Sequence, residues 1–176
     1  LKKLSSECFI PISAGGNIRN LEDARILFLS GADKVIINTP IFRDPKLTFE
    51  ISSEFGKQCL IGSLDLRKVH KDYSFYTLKG TNKENQLPRD FFEKLYELSL
   101  GEIYLNSINK DGTGQNYDFN LLDLIPRGFS LPLILAGGAG RPEHIIEALS
   151  NPKVDAASTS HLFNFMGSGL KETKDM

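Results

Sequence analysis

The stretch PLILAGGAGRPEHIIEAL, residues 132–149, has the clearest pattern of secondary structure in the sequence. Four apolar residues, typical of a buried strand, lead into Ala-Gly-Gly-Ala-Gly, and a segment with helical periodicity begins at Pro142. A glycine-rich turn between a strand and a helix is typical of a parallel α/β unit. A similar stretch, PISAGGNIRNLEDARIL, occupies residues 11–27.

The same alternation of strand and helix runs along the whole chain. The predicted strands are Phe9–Ser13, Lys34–Asn38, Leu60–Asp65, Ile103–Asn106, Leu133–Ala136 and Ala156–Ser158. The predicted helices are Asn20–Ser30, Lys46–Phe55, Arg89–Ser99, Asn120–Ile125 and Pro142–Leu149, with an extra hairpin at Tyr73–Leu78. Because the strands alternate with helices, we expect βαβ units and a parallel sheet. No low-complexity linker divides the 176 residues, so a single domain is expected.

The two glycine-rich stretches belong to an internal repeat. Gly15-Gly16 and Gly137-Gly138 lie 122 positions apart, and the same offset relates Asp33 to Asp155 and Asn38-Thr39 to Ser160-His161. The shared offset predicts that segments 11–42 and 133–164 are copies of one unit, with two equivalent sites. The alternative is that any two βαβ units look alike.

The glycine turns are candidate phosphate sites. Backbone N–H groups of such a turn, and of the helix that follows it, favour an anion. Each second strand ends in small polar residues, Asn38-Thr39 in one unit and Ser158-Thr159-Ser160 in the other. Two such units predict a substrate that carries a phosphate at each end. The alternative is that the glycines only allow a strand and a helix to pack closely.

Two aspartates follow predicted strands. Asp65 closes CLIGSLD, and Asp111 lies just after EIYLNSINK. In a parallel barrel the carboxyl ends of the strands form the active face, so both carboxylates are candidate general acids or bases. A helix cap or a turn is the alternative role for each.

Composition excludes several classes of function. The formal net charge is −1, and 40% of the residues are apolar. This charge gives no electrostatic basis for binding nucleic acid or an anionic membrane. No signal peptide and no spanning segment is visible. Cys8 and Cys59 lack metal-ligand spacing, so we expect reduced, partly buried thiols in a cytoplasmic protein, with no metal and no cofactor.

Four motifs in order resemble one known family. SAGGNIRNLEDARILFLSGADKVIINT, SLDLRK, GEIYLNSINKDGTGQNYD and LPLILAGGAGRPEHIIEAL are similar to the cyclase subunit of imidazole glycerol phosphate synthase. The resemblance implies a (β/α)8 TIM-type barrel made of two half-barrels, of which this chain holds strands 3 to 8. It implies a bisphosphorylated aminoimidazole carboxamide ribonucleotide as substrate and imidazole glycerol phosphate, on the histidine pathway, as product. Ammonia is expected from a glutamine amidotransferase docked at the amino-terminal face of the barrel.

The resemblance also implies site residues. Asp65 matches a catalytic aspartate, and the second catalytic aspartate is expected on a strand before residue 1, so this chain alone is expected to be an inactive lyase. Lys34 and Glu102 match charged residues around the ammonia entrance. The substrate and phosphate residues implied are Gly16, Asn38, Thr39, Asn106, Asp111, Gly112, Gly137, Gly138, Ser160 and His161.

Some positions depart from the family pattern. They lie on the expected substrate face: Asn17, Asn106, Asn109, Ala136, Ser160 and His161. NSINKDGT is similar to a paralogous branch that supplies ammonia for amidation of a surface-polysaccharide sugar, which is the alternative function. His161 is either a phosphate or proton donor or a residue without a role, whereas His70 and His144 are expected on the surface.

Overall fold

The computed structural model describes residues 1–160, 162 and 169–175. The strands are β1 Ser13–Gly15, β2 Lys34–Ile37, β3 Leu60–Val69, β4 Asp72–Thr77, β5 Asn82–Lys83, β6 Glu102–Ser107, β7 Leu133–Ala136 and β8 Ala156–Ser158. The α-helices are α1 Lys2–Ser5, α2 Leu21–Leu29, α3 Thr39–Arg43, α4 Pro45–Phe55, α5 Pro88–Lys94, α6 Pro142–Leu149 and α7 Gly169–Asp175. Short 3-10 helices span Lys57–Cys59, Leu95–Leu98 and Phe119–Leu124.

The main sheet has the hydrogen-bonded order β1-β2-β3-β6-β7-β8. β1 pairs with β2, β2 with β3, and β7 with β8, each in parallel. β4 and β5 form an antiparallel extension of β3. An α/β chain with parallel strands in this order has the fold of a partial (β/α)8 barrel, and the prediction of this fold is confirmed.

The residues form two compact units. Unit 1 comprises residues 1–63 and 94–103, and unit 2 comprises residues 64–93 and 104–176. β3 and β6 each contribute residues to both units, so that unit 1 holds β1, β2 and the beginnings of β3 and β6, and unit 2 holds the remaining strand residues.

Unit 1 has a core of aliphatic strand residues covered by helices. Val35 of β2 and Ile51 of α4 are fully buried. The rings of Phe28 and Phe55 stack at 4.1 Å between centroids. On the outer surface, the Arg25 guanidinium donates to both Glu54 carboxylate oxygens, at 2.7 and 2.6 Å. The α2–α4 contact therefore combines aromatic packing with a bidentate ion pair at its edge.

Unit 2 is built around an aromatic cluster. Phe75 of β4 lies 5.2 Å from Phe91 and 6.3 Å from Phe92 between ring centroids, and Phe92 meets Phe129 edge to face at 5.6 Å. Because Phe75 and Phe92 are fully buried, the predicted hairpin is part of the core of this unit.

The first predicted strand is wrong in its position. The Phe9–Ser13 run has the composition of a buried strand, but pairing begins at Ser13, and Phe9 and Ile10 are 99% and 72% exposed. Asp33 accounts for the shift: its carboxylate accepts from the Ile12 N–H at 2.7 Å, and its own N–H donates to the Ile12 carbonyl at 2.8 Å. This pair of bonds fixes the point at which β1 enters the sheet.

Other boundaries differ where the chain changes its hydrogen-bond pattern. β3 continues to Val69 because β4 pairs with its second half. The predicted helix Arg89–Ser99 is α5 followed by a 3-10 turn, which ends at Ser99 in the left-handed conformation. The predicted helix Asn120–Ile125 is the 3-10 segment Phe119–Leu124. β7 and β8 have the predicted bounds.

The two glycine-rich segments have the same backbone pattern, but not at a single offset. Gly16 and Asn17 have positive φ of 102° and 60°, and the equivalent residues in unit 2 are Gly137 and Gly138, at 85° and 116°. These pairs are 121 positions apart, whereas Asp33 and Asp155 are 122 apart. One extra residue therefore lies between the second glycine turn and β8. The common origin implied by the repeat stays a prediction.

We expect Leu105→Ala to lower the free energy of unfolding by about 2–5 kcal/mol, because Leu105 of β6 is fully buried and its truncation leaves a cavity. Leu29→Ala is the matched control: Leu29 is 81% exposed on α2, so its change should stay within about 0.5 kcal/mol. Urea unfolding followed by circular dichroism measures both changes. Equal midpoints for the two variants would contradict this assignment of the core.

Candidate functional site

Asp65 lies on β3 in unit 2, at the residue that pairs with Tyr76 of β4. Its carboxylate accepts a hydrogen bond from the Asn106 Nδ2 at 3.1 Å. Burial raises the pKa of the Asp65 carboxyl, the Asn106 amide lowers it, and the negative charge of Asp111 raises it again. With burial as the largest effect, the pKa lies above that of a free aspartate, which suits a group that both takes up and releases protons.

Asn106 connects this carboxylate to the glycine turn after β7. A Cβ atom placed on Gly137 would lie 2.7 Å from Asn106 Oδ1 and 2.8 Å from the Ser107 carbonyl oxygen. A Cβ on Gly138 would lie 2.1 Å from the Asn116 carbonyl oxygen. Both positions also have positive φ, so only glycine fits here. Close packing is therefore one reason for the glycine pair in unit 2.

A cavity of about 80 Å³ lies beside this turn in unit 2. Five residues predicted for the substrate site line it together: Asp111, Gly112, Gly137, Gly138 and Ser160. Gly112 has a φ of 75° and nothing within 4 Å of the position of a Cβ, so its backbone lies open to the cavity. The loop after β6 and the turn after β7 thus face one space.

In unit 1, Gly16 and the end of β2 lie at one edge of the sheet. Gly15 pairs with Ile36 in parallel register, so Gly16, Asn38 and Thr39 all follow the carboxyl ends of neighbouring strands. A Cβ on Gly16 would meet nothing within 4 Å, so this turn is open, in contrast to the crowded turn of unit 2. The Asn38 Nδ2 donates to the Ser63 carbonyl at 3.0 Å, which fixes the orientation of that amide.

Asn17 completes the unit 1 turn in place of a glycine. It adopts a φ of 60°, a conformation that asparagine tolerates better than most residues. Its Oδ1 accepts from Arg19 Nη2 at 2.7 Å and from Arg19 Nε at 3.0 Å. The departure from the family pattern therefore holds a guanidinium beside the turn.

Lys34 and Glu102 form an ion pair within unit 1. Lys34 is the first residue of β2 and Glu102 the first residue of β6, so the pair lies at the amino ends of these strands. The two side chains are 32% and 20% exposed. The pair is thus at the strand ends opposite those that carry Asn38 and Asn106.

The expectation that His144 is a surface residue is wrong. His144 is 5% exposed, and its Nδ1 accepts a hydrogen bond from the Gly140 N–H at 3.2 Å. Burial, and then the charge of Arg141, lower the pKa of the imidazole. His144 lies on the buried face of α6 with Ile145 and Ala148. Because histidine is polar, the sequence alone does not indicate this packing position. His70 is exposed as predicted, and His161 lies outside the described residues.

Sequence reasoning missed two tyrosines around the end of β8. The Tyr104 hydroxyl lies 3.1 Å from Ser158 Oγ, and the Tyr117 hydroxyl donates to the Ser158 carbonyl at 3.0 Å. Tyr104 lines the cavity, together with Ala139, Ser158 and Thr159. The sequence does indicate Tyr104, because it lies two residues before Asn106 and therefore on the same face of β6.

A buried aspartate is a further residue not singled out from the sequence. Asp118 is 7% exposed and accepts from the Tyr73 hydroxyl at 2.8 Å and from Ser107 Oγ at 3.3 Å. It therefore joins the β4 strand to the loop that follows β6. Burial, and then Asp118, raise the pKa of the Tyr73 hydroxyl, so Tyr73 remains a donor in this contact.

The described part of the chain has neither a membrane-spanning helix nor a cluster of metal-binding side chains. No helix in it has the length and apolar character needed to cross a membrane. No group of three or more histidine, cysteine, aspartate or glutamate side chains in it has an arrangement that could hold a metal ion. Cys8 and Cys59 are both free and partly buried, as predicted.

The fold and the site define a class: an α/β protein of the (β/α)8 type, with its polar residues at the carboxyl ends of parallel strands. The family described as "Histidine biosynthesis protein" matches residues 1–166.

Three named relatives make the family assignment more specific. The chain is 40% identical over 175 residues, 99% of its length, to the "Putative imidazole glycerol phosphate synthase subunit hisF2" of Parasynechococcus marenigrum (strain WH8102), and it spans 65% of that relative. It is 37% identical over 98% of its length to "Imidazole glycerol phosphate synthase subunit HisF" of Chlorobaculum parvum, and 36% over 99% to that of Leptospira biflexa; it spans 69% of each. The chain belongs to the HisF family of histidine biosynthesis proteins.

We expect Asp65→Asn to stabilise the fold at pH 7. A carboxyl whose pKa is raised on folding costs stability once the pH passes its unfolded pKa of about 4, and the full cost is present above the folded pKa. Asparagine removes this cost, so the melting temperature should rise at pH 7, and the gain should shrink as the pH falls toward 4. The control is Asp123→Asn, at an exposed position. A lower melting temperature for Asp65→Asn at pH 7 would refute the burial of the charge.

Proposed function

We propose that this chain is the ammonia-using cyclase part of an imidazole glycerol phosphate synthase. In this reaction a bisphosphorylated aminoimidazole carboxamide ribonucleotide is converted to imidazole glycerol phosphate for histidine biosynthesis, with ammonia supplied by a glutamine amidotransferase. The single observation that carries the proposal is the partly buried Asp65 carboxylate, bonded to Asn106, whose amide oxygen packs against Gly137. The names of the relatives, which are imidazole glycerol phosphate synthase subunits, support this reaction class.

Asp65 is the proposed acid–base residue. Adding ammonia, opening a linkage and closing a ring require protons to be given and taken, and burial shifts the pKa of the Asp65 carboxyl upward, the direction that favours both steps. Asn106 donates to one carboxylate oxygen and so holds the carboxylate in one orientation. This leaves the second oxygen of Asp65 for the substrate.

The two glycine turns are the proposed phosphate sites. In unit 1, the open turn at Gly16 and the strand end at Asn38-Thr39 are assigned to one phosphate. In unit 2, the backbone of Gly112, Gly137 and Gly138 and the hydroxyl of Ser160 are assigned to the other. Asp111 lines the same cavity, and a carboxylate repels a phosphate dianion, so we assign Asp111 to a substrate hydroxyl.

The Lys34–Glu102 ion pair is the proposed ammonia entrance. It lies at the amino ends of β2 and β6, and the reactive residues lie at the carboxyl ends. Both side chains are partly exposed, so the pair can separate without burying an unpaired charge. An amidotransferase docked here would release ammonia at the amino ends of the strands, whereas the proposed substrate residues lie at the carboxyl ends.

We expect Asp65→Asn in the full-length product of the gene to lower ammonia-dependent turnover about 10²–10⁴-fold, the usual effect of losing a general acid–base group. Substrate affinity should change little, because asparagine has nearly the same shape. Steady-state formation of imidazole glycerol phosphate, with ammonium chloride as nitrogen donor, gives kcat and KM separately. Asp123→Asn should match the wild type. An undiminished kcat in Asp65→Asn would exclude Asp65 from the chemistry.

The ammonia entrance generates a second test. Glu102→Gln removes the negative partner of Lys34 and should lower glutamine-dependent turnover in the complex with the amidotransferase. Turnover with ammonium chloride should change less, because free ammonia enters from solvent on the substrate side. The informative quantity is the ratio of the two rates, compared with that of Glu97→Gln, an exposed control. The same ratio in both variants would remove Glu102 from the ammonia path.

A further inference from the structure

Tyr104 has no role in the proposed chemistry, although it lines the cavity in unit 2. It projects from β6, and its hydroxyl reaches Ser158 Oγ, on the last residue of β8, at 3.1 Å. Since β7 lies between β6 and β8 in the sheet, the tyrosine ring crosses over β7. Its hydroxyl therefore lies beside the Gly137-Gly138 turn that ends this strand.

The Tyr104–Ser158 pair always presents a donor. In a hydrogen bond between two hydroxyl groups, one proton is used in the contact and the other remains available. The neighbouring carboxylates, Asp65 and Asp111, only accept hydrogen bonds when they are ionised. Burial raises the pKa of the Tyr104 hydroxyl, the hydrogen bond with Ser158 lowers it, and the charges of Asp111 and Asp65 raise it again, so the phenol keeps its proton at neutral pH.

Two tyrosines bond to different atoms of Ser158, and this difference distinguishes Tyr104 from a purely structural tyrosine. Tyr117 also bonds to this residue, but it does so at the main-chain carbonyl, it is 3% exposed, and it does not line the cavity. Tyr117 therefore contacts the main chain at the end of β8 without lining the cavity. Tyr104 adds a half-buried side-chain hydroxyl on the cavity side.

We propose that Tyr104 is a specificity-determining residue: its hydroxyl, paired with Ser158, contacts the hydroxyl-bearing part of a phosphate ester whose phosphate lies at the Gly137-Gly138 turn. This inference rests on the proposed function, because it takes the phosphate position from it. The phosphate itself is bound by backbone groups, so Tyr104 distinguishes a phosphate ester of a polyol from inorganic phosphate.

The test is direct binding, which needs no turnover. Isothermal titration calorimetry with glycerol 3-phosphate and with inorganic phosphate is carried out on the full-length product of the gene and on its Tyr104→Phe variant. We expect Tyr104→Phe to weaken glycerol 3-phosphate about 3- to 10-fold, the usual effect of one neutral hydrogen bond, and to leave inorganic phosphate unchanged. Tyr96→Phe, at an exposed tyrosine, is the matched control and should change neither.

One further variant separates contact from positioning. Tyr117→Phe keeps the Tyr104 hydroxyl, and Tyr117 does not line the cavity, so this variant should keep the preference for glycerol 3-phosphate. The inference is overturned if Tyr104→Phe keeps the wild-type preference, if Tyr117→Phe loses it equally, or if the wild type does not distinguish the two probes. A wild type without turnover that still prefers glycerol 3-phosphate, a preference lost only in Tyr104→Phe, has a separate meaning. That result would refute the proposed reaction and support the role of Tyr104.

Discussion

The candidate site in unit 2 depends on the contacts that the side-chain amide of Asn106 makes. Its nitrogen donates to Asp65, and its oxygen lies so close to Gly137 that no side chain fits there. An amide is suited to both contacts because it offers a donor to the carboxylate and remains uncharged beside the turn. The proposed catalytic carboxylate and the proposed phosphate turn thus both contact this one residue, and we expect a change at either one to affect the other.

β6 shows how the sheet supplies a core and a site from the same few residues. Ile103 and Leu105 are fully buried, whereas Glu102, Tyr104 and Asn106 alternate with them and are half-buried. The strand period of two therefore divides six residues into a packing face and a polar face. Each residue of the polar face has a polar partner: Lys34, Ser158 and Asp65 respectively.

The sequence predicts the fold better than the details of the site. β7 and β8 were predicted to the residue because their apolar runs are bounded by a glycine turn and by Asp155. Phe9 and Ile10 have the composition of a strand, but periodicity cannot show that Asp33 anchors the chain at Ile12, so that β1 begins only after this residue. The burial of His144 and the contact of Tyr104 with Ser158, 54 positions away, both arise from tertiary packing. The local sequence around each residue therefore does not predict its role.

The aspartate that precedes the second strand of each repeat segment bonds twice to the start of the first strand, through Asp33 to Ile12 and through Asp155 to Leu133. These paired bonds set the strand register independently of the length of the connection between helix and strand. Residues 30–33 connect α2 to β2 and residues 150–155 connect α6 to β8, so the second connection is two residues longer, yet both segments have the same pairing. Evolution can therefore insert or delete residues at this corner, and so reshape the surface at the amino ends of the strands, while the polar residues at the carboxyl ends keep their positions.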